Sequence, residues 1–93
     1  MRIDWTVVGR DDVLRAAAEF DSLGATEFYA RHGFAPATTY EMVLNDRRYP
    51  PKALLGTAFE FATGTRLASS DFEGGRAGAV RVLQKLGFDI RHS

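Results

Sequence analysis

Three cations and a tyrosine fall within one short stretch, Arg47-Arg48-Tyr49-Pro50-Pro51-Lys52. Arginine pairs bidentately with a phosphate or a guanine edge. Pro51 suits the first position of a helix, where a missing N–H costs nothing. The free N–H groups of such a helix start face an anion favourably. The competing arrangement packs Tyr49 in the core and pairs the arginines with Glu41 and Asp46 across a hairpin. A second stretch, Ser69-Ser70-Asp71-Phe72-Glu73-Gly74-Gly75-Arg76, has related chemistry. Gly74 and Gly75 let the backbone approach a ligand closely, and Ser70 adds a hydroxyl. A helix beginning at Arg76 would turn its first N–H groups toward a phosphate. A cation at that position opposes the helix dipole, so Arg76 is expected to serve something else. Asp71 and Glu73 oppose an anion, and an Asp cap is the plain alternative.

Signatures of catalysis are nearly absent. His32 and His92 lack the i, i+4 partners of a helical metal pair, and no P-loop, dinucleotide fingerprint or nucleophile elbow occurs. His32, near a helix C-terminus, is expected at the surface, where the dipole suits a cation. Glu60, Asp71 and Glu73 could meet on a metal, but a solvated helix residue and loop or cap residues are the ordinary expectation. No cofactor is implied.

The elements that must position these residues follow from periodicity and punctuation. Arg10 to Leu23 is expected to be a helix, with Asp11 and Asp12 at its start and an apolar stripe of Val13, Leu14, Ala17 and Phe20. Gly24 stops it, and a second helix runs from about Ala25 to His32, ending at Gly33. Ala35-Pro36-Ala37-Thr38 is loop-like. Thr39 to Leu44 has strand composition, Asn45-Asp46 is turn chemistry, and Arg47-Arg48-Tyr49 returns as a second strand. A third helix spans Pro51 to about Ala62, with Gly64 after it. The fourth is expected from Arg76 to Leu86, ending at Gly87, and Phe88-Asp89-Ile90 alternates as a last strand. Ile3 to Val8 is expected to be a strand or an extended arm. The fold class is therefore α+β: one small domain over residues 1–93, with four helices and a short hairpin or small sheet.

Composition bounds the partners. With 93 residues, 45% hydrophobic and no cysteine, the chain can pack one modest core without disulfides or thiolate metal sites, which suits a reducing cytoplasm. No apolar run is long enough for a membrane span, and the first twenty or so residues lack a signal-peptide core. Twelve basic against twelve acidic residues give a formal net charge of zero. The average conceals a split. Residues 1–46 hold four basic and eight acidic residues, whereas residues 47–93 hold eight basic and four acidic. Such asymmetry fits a one-sided polyanion face, or two halves that neutralise each other.

Residues Val13 to Ile90 carry a collinear resemblance. The matching residues include Ala17-Ala18-Glu19-Phe20-Asp21-Ser22-Leu23-Gly24, Phe28, Gly33-Phe34 and Tyr40. The pattern continues through Arg48-Tyr49-Pro50-Pro51-Lys52-Ala53-Leu54-Leu55-Gly56-Thr57-Ala58, Leu67, Asp71-Phe72-Glu73-Gly74-Gly75, Val82-Leu83 and Leu86-Gly87-Phe88. The chain resembles the N-terminal head module of McrA-like, modification-dependent HNH restriction endonucleases. Where that family typically has Ser or Thr before the lysine, this chain has Pro51, and Glu73 stands where a hydroxyl is frequent. The resemblance implies a DNA-binding or DNA-sensing module of a bacterial defence system, associated with further domains of a nuclease. The HNH motif is absent here, so nuclease activity is not implied. The expected partner is double-stranded DNA, held mainly at phosphates by Arg47, Arg48 and Lys52 and by Gly74, Gly75 and Arg76. Tyr49 and Tyr40 are candidates for a groove contact or for stacking on an exposed base, with the core as their alternative. The family's role adds recognition of a modified base. The rival reading is a protein-interaction or dimerisation module, in which the acidic helices of one copy meet the basic half of another.

Overall fold

The computed structural model describes residues 2–36 and 39–92, so Ala37 and Thr38 of the expected loop lie outside the described residues. The chain runs α1 (Arg10–Leu23), α2 (Ala25–His32), β1 (Tyr40–Leu44), β2 (Arg47–Tyr49), α3 (Pro51–Thr63), α4 (Ala79–Lys85) and β3 (Asp89–His92). This is the expected α+β class: four helices and a small antiparallel sheet in the order β2-β1-β3. Asn45 and Asp46 both take positive φ, 52° and 64°, the backbone that a two-residue hairpin turn demands. That turn sets the register Met42↔Tyr49 and Val43↔Arg48, and β3 pairs Ile90 with Met42 on the other side.

Alternation then divides the sheet. Met42 and Tyr49 are buried toward the helices, while Glu41, Arg48 and Arg91 stand on the opposite face. Helix α3 is the centre of the fold. Pro51 and residues 53–58 are all buried, and the helix packs against α1, α2, α4 and β1. A helix apolar on nearly all sides needs neighbours on all sides. Gly56 lets the Phe34 ring lie directly on α3, because a Cβ there would stand 2.3 Å from its Cζ. Val13, Ala16 and Ala17 of α1, Phe28 of α2 and Leu83 of α4 complete the core.

Three expectations need correction. Residues 3–8 form neither strand nor arm. Trp5–Val7 is a 3-10 turn capped by Asp4, and it sets the Trp5 ring edge-on against Phe59 and Phe72. Helix α4 begins at Ala79 rather than Arg76. His32 is not a surface residue. It is 7% exposed, tilted against the Phe28 ring, with Nε2 hydrogen-bonded to the Glu19 carboxylate and Nδ1 3.5 Å from Glu60. Glu19 belongs to α1 and Glu60 to α3, so the ring ties three helices together. A buried polar ring needs partners of this kind, and only the tertiary fold brings them.

Candidate nucleic-acid interface

The hairpin stretch is engaged within the molecule. Tyr49 is 4% exposed, and its hydroxyl donates to the Asp21 carboxylate of α1 at 2.9 Å. Burial, reinforced by that hydrogen bond, raises its pKa above the ordinary 10.0. Tyr49 therefore cannot meet a groove or a base. Arg47 pairs with Asp21 at 3.1 Å, and Arg48 pairs with Glu41 across the hairpin at 2.6 Å. Glu41 is the partner anticipated for the arginines, whereas Asp21 takes the place expected of Asp46. Both arginines keep exposed side chains, but their charges are met by carboxylates from the acidic half.

Lys52 is differently placed. It lies in the first turn of α3, a helix whose start has no side-chain cap. Its ammonium sits 5.3 Å from the centre of the Phe72 ring, within cation–π range, and pairs with no carboxylate among the described residues. Its stem runs beside Gly74, where an added Cβ would come within 3.2 Å of the Lys52 Cβ and Cδ.

The segment from Glu73 to Ala79 explains the late start of α4. The Glu73 carbonyl accepts from the Ala79 N–H at 2.8 Å, and the Gly75 carbonyl accepts from the Gly78 N–H at 2.9 Å. This closed turn presses Gly78 onto Glu73, where a Cβ would stand 2.0 Å from the carbonyl oxygen. Arg76 rides on the turn, outside the helix, so the dipole argument for it lapses. It is exposed and makes no ion pair or hydrogen bond with the described residues.

Tyr40 links the remaining candidates. It borders a cleft of about 510 Å³ with Phe34, Thr39, Lys52, Ser69, Gly74 and Gly75. It also borders a hollow with Arg76, Gln84 and His92, and a small recess with Glu41, Arg48 and Tyr49. Its ring meets that of His92 edge-on at 5.1 Å. Four expected site residues, Tyr40, Lys52, Gly74 and Gly75, thus line one cleft, and Arg76 stands beside it across Tyr40. Arg48 reaches only the recess. Arg47 and Ser70 join none of these hollows: Ser70 is exposed on the 3-10 turn Ser69–Asp71, and its neighbour Ser69 lines the cleft instead. Sequence reasoning missed Ser69, Thr39 and Phe34 as cleft residues, although each adjoins a residue or motif it had singled out.

The three carboxylates considered for a metal do not meet. Glu60 faces His32, and Asp71 accepts from the Ala68 N–H at 2.7 Å. Among the described residues, no three His, Asp or Glu side chains group to hold a metal ion, and no helix is long and apolar enough to cross a membrane. No curated protein and no solved structure matches the chain. A family does: residues 6–92 match the family described as ScoMcrA-like, N-terminal head domain. Together with the collinear motifs and the α+β architecture that carries them, this match makes the chain a member of the ScoMcrA-like N-terminal head domain family.

Proposed function

We propose that this chain is the DNA-binding module of a bacterial modification-dependent restriction system, cytoplasmic and itself non-catalytic, acting with nuclease domains that do the cutting. Duplex DNA is held mainly through its phosphates by Lys52 and Arg76, with Gly74 and Gly75 allowing close backbone approach and Arg48 at the margin. Recognition of a modified base belongs to the same reading. The observation that carries it is that Lys52 and Arg76, which pair with no carboxylate among the described residues, line two hollows that share Tyr40. Membership of a head-domain family of McrA-like proteins supports the restriction context.

The test is fluorescence anisotropy with modified and unmodified duplexes at low and moderate salt. A module holding two or three phosphates should lose affinity with a log–log salt slope of about −2 to −3. Replacing Lys52 or Arg76 with alanine should lower the slope by about one each. Absence of binding at low salt, or a slope untouched by either substitution, contradicts the proposal. The rival, self-association of acidic and basic halves, has to compete with the Arg47–Asp21 and Arg48–Glu41 pairs already made within one molecule. A concentration-dependent dimer in sedimentation would favour it.

A further inference from the structure

We infer that the Tyr40–Lys52 cleft is a nucleotide pocket, which accepts a single base turned out of the DNA stack while Lys52 meets the adjoining phosphate. The inference rests on the DNA-binding reading for the source of the nucleotide, but its chemistry is read from the cleft itself. At about 510 Å³ the space lies within the usual range of small-molecule sites, about 300–1,000 Å³. Its lining is largely apolar: Ala35, Pro36 and the half-buried Tyr40 ring are open to it, and the buried Phe34 and Pro51 lie behind. Such surfaces suit a planar base, which every nucleotide presents whatever its identity.

The polar side chains on this cleft form no hydrogen bond or ion pair with the described residues. Thr39, Tyr40 and Ser69 bring hydroxyls that hydrogen-bond to none of the described residues, and Lys52 meets only the Phe72 ring. Elsewhere the side chains of Asp12, Asp21, Glu41, Asp71 and Tyr49 are all spent on internal contacts. Among the described residues, no carboxylate lines the cleft, so nothing there repels a phosphate. Glu73, next in the chain, contributes its carbonyl to the Ala79 N–H and is not part of the lining. Gly75 leaves open space where a side chain would be. Enzymes and readers that handle an extruded base use this combination: apolar or aromatic faces for stacking and a few free polar groups for its edge.

The experiment compares a labelled duplex carrying one unpaired thymine with the same duplex fully paired, and titrates thymidine 5′-monophosphate in parallel by amide NMR. The unpaired duplex should bind about tenfold tighter, the scale of one base stacked on an aromatic side chain. Tyr40→Ala should remove that preference, while Tyr40→Phe retains it. Should Tyr40→Ala unsettle β1, Gly75→Ala serves in its place. Its added methyl meets no protein atom within 4 Å, yet narrows the cleft, and it should reduce the preference several-fold. Equal binding of the two duplexes, without amide shifts from the mononucleotide at Tyr40, Lys52 or Gly75, overturns the nucleotide pocket and leaves the phosphate-binding reading intact. Binding of the mononucleotide at those amides, with neither duplex bound at low salt, supports a free nucleotide as the occupant and overturns the DNA reading. No binding of any of the three overturns both.

Discussion

The two basic stretches look equivalent as strings of residue types, and the fold uses them in opposite ways. In the hairpin, Arg47 and Arg48 meet Asp21 and Glu41, and Tyr49 is buried with its hydroxyl on the same Asp21. Around the cleft, Lys52 faces an aromatic ring and Arg76 faces solvent, and neither has a carboxylate partner among the described residues. The difference lies in what the acidic half can reach. The C-terminal end of α1 reaches the hairpin through Phe20 and Asp21, whereas among the described residues no acidic side chain lines the cleft. A cation already neutralised brings less to a phosphate, because its pair must first be broken. The net charge of zero therefore conceals neutralised arginines at the hairpin beside unpaired cations elsewhere, Lys52 and Arg76 among them, and it does not weigh against a polyanion partner.

Charge reversal at the cleft should break this comparison most severely. Lys52→Glu combined with Arg76→Glu is expected to lower duplex affinity by about a hundredfold at ~0.1 M salt, measured by anisotropy, since two phosphate contacts are lost and two repulsions added. Next in size is Gly56→Ala. Its methyl would drive into the Phe34 ring that walls the cleft, so the thermal transition should report a loss of about 1–3 kcal/mol.

Tyr49→Phe sharpens the hairpin side. Removing the hydroxyl from Asp21 should cost about 1 kcal/mol in chemical denaturation, with DNA affinity unchanged. The same residue makes an alkaline prediction. Its folded pKa lies above the ordinary 10.0, chiefly through burial, so the neutral phenol is the form the fold favours. Its contribution is complete below pH 10.0 and is lost as pH rises through the folded value. Stability should thus fall more steeply above that pH in the wild type than in Tyr49→Phe. The smallest effects are expected from Arg47→Ala and Arg48→Ala: below about 1 kcal/mol in stability, as for other exposed ion pairs. Their duplex affinity should change less than that of Lys52→Ala.

The helices and the hairpin were legible because local residues punctuate them. Gly24, Gly33 and Gly64 close α1, α2 and α3 with positive φ, and Asn45-Asp46 turns the hairpin. What stayed hidden depends on residues distant in sequence. The start of α4 is set by the Glu73 carbonyl folding back on Gly78 and Ala79, so the glycines at 74 and 75 mark a turn rather than a cap. The Trp5 turn answers to Phe59 and Phe72, and His32 to Glu19 and Glu60. The candidate site divides similarly. Residue types identified Lys52, Tyr40, Gly74, Gly75 and Arg76, but composition could not say that Asp21 would take up Arg47 and Tyr49.

The most direct test of the account is an amide NMR titration of the chain with a short duplex at low salt. Shifts should concentrate at Tyr40, Lys52, Gly74, Gly75 and Arg76, with Arg47 and the α1 residues around Asp21 nearly still. Shifts centred on the Arg47–Asp21 side, or none at any DNA concentration, would contradict it.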